Sequence, residues 1–138
     1  MFICDISVFN KFGKQKLDEM LIPFDIDWRT LVVILVIEQV QGISQAELIP
    51  FLQTDKGNVS RILHAMEKRG WILRQTDLQD HRNKLCYLTS QSKKIVGNLK
   101  AILEKCEEEC FEGLTKDQIV LYKEVNKVLT KNLVREWK

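Results

Sequence analysis

Apolar residues recur along this chain at helical spacing almost everywhere, and the few places where the period changes define its organisation. From Asp5 to Ile22, the positions Ile6, Phe9, Gly13, Leu17 and Met20 or Leu21 recur every three or four residues, which predicts an amphipathic helix. Pro23 stops it. Asp27 is placed to cap a second helix, whose body WRTLVVILVIEQV is apolar almost all round and therefore central to the core. Gly42 ends that helix. Ser44-Gln45-Ala46-Glu47 reads as a capping box opening a short third helix, which Pro50 should bend or end early.

Thr54 or Asp55 can cap a fourth helix, with Val59, Ile62, Leu63 and Met66 as its buried stripe and Gly70 as its end. The opposite face carries Lys56, Gly57, Asn58, Ser60, Arg61, His64 and Lys68. A merely solvated face favours long helix-forming Glu and Lys. Short Gly, Asn and Ser suit a helix that must approach something closely. From Trp71 the period shortens: WILRQT and KLCYLT are extended candidates around the polar finger DLQDHRN, and together they predict a hairpin with a long tip.

A long helix follows from Thr89 or Ser90 to about Glu112, with Val96, Leu99, Leu103, Cys106 and Cys110 as a packing seam that Ile95 and Ile102 widen. After Gly113, Thr115 caps a last helix that places Ile119, Tyr122, Val125, Val128, Leu129, Leu133 and Trp137 on a broad apolar face. The predicted fold class is mostly α with a small two-stranded β wing: a winged helix-turn-helix with long flanking helices. It forms a single chain-length organisation over 1–138, with residues 27–89 as the winged part and 1–22 and 90–138 as dimerisation helices.

Composition narrows the function classes. At 138 residues and 45% apolar, the chain is long enough to bury a core and is not disordered in character. Its longest uncharged apolar run, Leu31 to Ile37, is far too short to span a membrane, and no export signal is evident, so a cytoplasmic protein without membrane partners is expected. The net charge of +2 is uninformative, but its distribution is not. Residues 1–53 carry four basic and seven acidic groups, whereas residues 54–84 carry seven basic and four acidic. A positive middle is the footprint of a polyanion.

The four cysteines have no zinc-knuckle spacing; buried and reduced is their plain reading, and no metal or cofactor is expected. There is no hydrolase elbow, phosphate loop or paired nucleophile for the two histidines, His64 and His81, so no enzyme is expected.

A short-residue helix fits a major groove, and a basic hairpin can reach backbone or minor groove. The stretch DKGNVSRILHAMEKRGWILRQTDLQDHRNKLCYLT then resembles the signature region of the MarR family of winged-helix transcription regulators. The recognition helix ending in E-K-x-G corresponds to Val59 through Gly70. The wing aspartate and arginine with the trailing L-T pair correspond to Asp80, Arg82, Leu88 and Thr89.

The resemblance implies a homodimeric, sequence-specific regulator of double-stranded DNA, a repressor of a palindromic operator. By it, Lys56, Asn58, Ser60 and Arg61 contact the major groove, with Thr54 near the helix head. Arg82 enters the minor groove steadied by Asp80, and Arg74, Asn83 and Lys84 touch phosphates. It also implies dimerisation through the first and last two helices, with Phe9, Leu17, Ile119, Tyr122, Leu129, Leu133 and Trp137 at the interface. A small aromatic or phenolic effector would sit near Phe12, Phe24 and Trp28.

Three residues depart from the family pattern or strain it: Ser92 where a glycine is usual, Pro50 before the recognition helix, and Gly57 within it. Two other readings compete. One is a protein-interaction module that has lost DNA binding, which the retained Lys56, Asn58 and Arg61 oppose. The other is a redox sensor using Cys4, which the neighbouring Asp5 opposes by disfavouring a thiolate.

Overall fold

The computed structural model describes residues 1–134. Helix α1 (Phe2–Leu21) begins three residues ahead of the amphipathic pattern, with Asp5 in its first turn, where a carboxylate suits the helix dipole. Pro23 falls in a short 3-10 turn, Ile22–Phe24, after which Asp25 reverses the chain in the left-handed region. Asp27 caps α2 (Trp28–Gln39) by accepting from the Thr30 N–H at 2.9 Å. Leu31, Val33, Ile34 and Ile37 of α2 are fully or almost fully buried, as an all-round apolar helix requires.

Ser44 caps α3 (Gln45–Leu52) through the Glu47 N–H. Pro50 neither ends nor precedes this helix but lies inside it, exposed, and the helix runs two residues further before Gln53 closes it in a left-handed conformation. Proline lacks the N–H that would return to the preceding turn, so the last turn is held chiefly by burial of Leu48 and Leu52.

Asp55, rather than Thr54, caps α4 (Lys56–Lys68) through the Asn58 N–H at 2.8 Å. Val59, Leu63 and Met66 are buried, with Ile62 partly so. Gly70, at φ +80°, makes the turn into the hairpin.

The hairpin strands are β2 (Ile72–Thr76) and β3 (Lys84–Leu88), antiparallel with Ile72 opposite Leu88 and Thr76 opposite Lys84. A further two-residue strand, β1 (Ile43–Ser44), pairs with the other edge of β3, so β3 is central in a three-stranded sheet. Two residues are too few to show an alternating pattern, which is why the sequence does not disclose β1. It ties the start of the helix-turn-helix directly to the wing.

Helix α5 (Ser90–Cys110) follows, and α6 (Lys116–Leu133) opens with a complete capping box between Thr115 and Gln118. The chain divides into two compact units, Met1–Glu104 and one beginning at Lys105. The core of the first joins Leu21, the α2 residues, Leu48, Leu52, Val59, Leu63, Ile72, Cys86 and Leu99. Each such side chain contributes roughly 1.5–3 kcal/mol on burial.

Candidate nucleic-acid interface

The buried stripe of α4 fixes which of its residues remain outside. Lys56, Arg61, His64 and Lys68 are exposed, and Asn58 and Ser60 are half-buried beside them. Asn58 is oriented by its own turn: its side-chain amide donates to Thr54 Oγ1 at 2.9 Å while its backbone N–H meets Asp55. Thr54 therefore braces Asn58, a spacing of four that the sequence could have shown. One amide hydrogen and the carbonyl of Asn58 have no bond to Thr54.

The wing tip has its own internal order. The Asp77 N–H donates to the Asn83 carbonyl at 3.0 Å, and the Asn83 N–H to the Asp80 carbonyl at 2.9 Å. Asp80 Oδ1 accepts from both the backbone N–H and the Nε–H of Arg82. The Arg82 side chain is nonetheless 92% exposed. Asn83 is half-buried, its amide reaching Asp80 Oδ2 at 3.4 Å, and Lys84 is exposed.

A cleft of about 260 Å³ joins these parts, lined by Lys56, Ser60 and His64 from α4, by Arg82, Asn83 and Lys84 from the wing, and by Arg74 and residues of α3. Helix α4 and the wing thus share one concave, cationic surface.

Arg74 is placed otherwise than the sequence reading has it. Its side chain is only 6% exposed. Its guanidinium donates to Gln45 Oε1 at 2.9 Å and Glu67 Oε1 at 3.3 Å, and lies 3.4 Å from His64 Nδ1. Its Nε–H has no partner. Arg74 therefore lies at the floor of the cleft, almost covered, and acts as a strut between α3, α4 and β2.

Glu67 and Gln45, which the sequence reading did not single out, complete that strut. Burial pushes the Glu67 carboxyl up. The hydrogen bonds from the Arg74 side chain and backbone, with the charges of Arg74 and Lys84, outweigh burial and hold it below its ordinary value. Behind them, burial raises the Cys86 thiol to about 11, the Arg74 charge lowering it and Glu67 raising it again.

The remaining candidates are distributed over the surface. Phe9 is exposed on α1 and Leu17 partly buried against the core. On α6, Tyr122, Leu129 and Leu133 are exposed and Ile119 half-buried, and Tyr122 packs edge-on against Phe111. Trp137 lies outside the described residues. Phe12 is exposed, whereas Phe24 is partly buried against the core and Trp28 is half-buried with Lys14 Nζ 4.4 Å from its ring centre. Cys4 and Cys110 are exposed and Cys86 and Cys106 buried. Among the described residues no helix is long and apolar enough to cross a membrane.

The model of the MarR family matches residues 26–84, from just before α2 to the first residue of β3. Likeness to solved structures extends over nearly the whole chain. A MarR transcriptional regulator from Methanosarcina mazei Go1 is similar at TM-score 0.88 and 24% identity, with 97% of each chain covered. A cysteine-to-serine variant of MarR from E. coli, complexed with operator DNA, is similar at TM-score 0.77 and 26% identity over 90% of this chain and 89% of that one. A Listeria monocytogenes protein assigned to the MarR family and complexed with 26mer DNA is similar at TM-score 0.87 and 21% identity, over 98% and 90%. The helix-turn-helix, the D-x-R wing and the family pattern thus coincide on the same residues: residues 26–84 carry the MarR family pattern, within a chain that has the winged helix-turn-helix fold of MarR transcriptional regulators.

Proposed function

We propose that this chain is a homodimeric regulator that binds double-stranded DNA sequence-specifically and represses transcription from a palindromic operator. The observation that carries the reading is the shared cleft, in which Lys56 and Ser60 of α4 and Arg82, Asn83 and Lys84 of the wing line one concave surface. Its make-up, short and cationic side chains on a helix beside an arginine-bearing wing, suits a helix in the major groove with the wing on the flanking minor groove, where a narrow groove attracts a guanidinium. The E. coli and Listeria proteins solved with DNA support the same use of the same fold.

Dimerisation rests on uncovered apolar surface. On α1, Phe2, Ile3, Ile6, Phe9 and Phe12 are exposed, and on α6 Tyr122, Val125, Val128, Leu129 and Leu133 are. Patches of that extent mark interfaces, and a two-fold pair would present two copies of α4 to successive major grooves. Release by a small aromatic or phenolic effector near Phe12, Phe24 and Trp28 completes the proposal as a two-state coupling.

The test is selection from random duplexes followed by titration at two salt concentrations, with sedimentation to fix the oligomer. Enrichment of an inverted repeat, steep salt dependence and a dimer are expected. Salt-insensitive, non-enriching binding would overturn the DNA reading, and a monomer at assay concentration would overturn the symmetric one.

A further inference from the structure

Two non-glycine residues of the described chain hold a left-handed backbone, Asp25 and Gln53, each at φ 54°. Both are used in the same way. Each joins the segment made of α1 and its following 3-10 turn to one end of α4.

At the head of α4, Gln53 occupies the turn two residues before the cap Asp55. Its Oε1 accepts from Asn10 Nδ2 at 3.3 Å and from Lys14 Nζ, and its Nε2 donates to Asn10 Oδ1 at 3.5 Å. Asn10 and Lys14 stand one turn apart on α1. Glycine or asparagine would adopt this backbone with less strain. A glutamine here therefore points to a use for its side chain, and that use is the grip on α1.

At the tail of α4, the C-cap residue Arg69 reaches back to the same segment. Its Nη2 donates to the Asp25 carbonyl at 2.6 Å and to Asp25 Oδ2 at 3.1 Å. Only the left-handed turn at Asp25 separates this point from the end of α1 and its 3-10 extension.

A thirteen-residue helix is roughly 20 Å long. Two weak attachments that far apart constrain its tilt more than either constrains its position. We propose that α1 with its 3-10 turn is a two-point mount for the reading helix, and that Gln53 and Arg69 are positioning residues which set the tilt of α4 against DNA. The inference rests on the DNA-binding reading above. It adds that a displacement of α1 tilts α4, so that events on the first helix are felt at the reading face.

The test compares Gln53→Gly, which keeps the turn and removes the amide, with Arg69→Lys, which keeps the charge and loses the two-acceptor geometry. Asn10→Ala serves as a control from the α1 side, since Asn10 is exposed and its loss leaves the core intact. Amide hydrogen exchange needs no DNA. Faster exchange over residues 56–60 in the Gln53 and Asn10 variants, and near the C-terminal turn of α4 in Arg69→Lys, is expected, with α2 unchanged. Binding to the selected operator should then fall about 5-fold or more, within the usual range for coupled sites, while random-duplex affinity and salt slope stay at parental values.

Parental exchange in all three variants overturns the mount, whatever happens to DNA binding. Faster exchange with undiminished discrimination, or an equal fall on operator and random DNA, overturns the positioning role. A parent protein that selects no operator overturns the DNA reading instead, and exchange still decides the mount.

Discussion

One carboxylate oxygen of Asp80 accepts two hydrogen bonds from Arg82, its backbone N–H at 3.1 Å and its Nε–H at 3.3 Å. The guanidinium is thereby aimed from its base while its outer nitrogens remain in solvent. At an exposed pair the bond adds little stability, because solvent screens it. What it supplies is a pose, held by a side chain that itself joins the wing-tip turn through Asn83.

Removing each partner should therefore have opposite electrostatic consequences. Arg82→Ala takes away a cation and should weaken operator binding by about 1–3 kcal/mol, with a shallower salt slope. Asp80→Ala takes away an anion. Random-duplex binding at low salt should rise, while the ratio of operator to random affinity falls. Parallel titrations of both variants check this, and an Asp80→Ala protein with an undiminished ratio would show that the pose is irrelevant.

Gly57 lies in the first turn of α4, and a Cβ there would meet nothing closer than Asp55 Oδ1 at 3.5 Å. Nothing within the protein forbids alanine. Gly57→Ala should therefore raise stability by about 0.4–1 kcal/mol, read as a higher denaturation midpoint. If the glycine admits close approach of DNA, the same variant should bind its operator more weakly. A stabilised protein with parental affinity would mean that the space serves no contact.

Ser92 stands where the family usually has glycine, and the structure supplies its reason. It is fully buried. Its Oγ donates to the Trp71 carbonyl at 2.7 Å and accepts the Thr89 N–H at 3.1 Å, while Thr89 Oγ1 accepts the Ser92 N–H at 3.2 Å. The pair caps α5 reciprocally and fastens it to the start of the hairpin. Ser92→Gly should cost about 2–3 kcal/mol, from a lost buried hydrogen-bonded hydroxyl and the poor helix propensity of glycine. A chemical denaturation curve measures it.

The contrast between Ser92 and Arg82 shows what could be read in advance. Helices α2 and α4 and the hairpin were legible because apolar spacing and caps are local, so Asp27, Val59, Leu63 and Gly70 announce themselves within a few residues. The Asp80–Arg82 hydrogen bond was legible because the two residues stand two positions apart. Arg74 was not, since its position on an outward-seeming strand says nothing of Gln45, 29 residues earlier. The same holds for Ser92 and the Trp71 carbonyl, 21 residues apart. Long-range polar pairs carry no periodic signature, and β1 is too short to have one.

The Arg74–Glu67 strut makes a pH prediction. The folded carboxyl of Glu67 lies below its unfolded value of about 4.5, so the unfolded chain binds the proton more readily. The resulting stabilisation is fully present above that unfolded value and is lost as pH falls through the folded one. Glu67 is a third exposed, and solvent screening keeps the effect modest. Arg74 is the more costly residue to lose. Arg74→Ala takes the guanidinium from Gln45 and Glu67, leaves Glu67 only the backbone N–H of residue 74 and opens a space behind α4, and should destabilise by about 2–4 kcal/mol. Glu67→Gln should remove the Glu67 share of the acid-limb slope while keeping one acceptor for Arg74. Urea midpoints from pH 3 to 7 for the parent and Glu67→Gln separate the cases. The parent should lose stability relative to the variant below about pH 4.5, and parallel curves would show that the carboxylate charge contributes nothing to the joint between α4 and the wing.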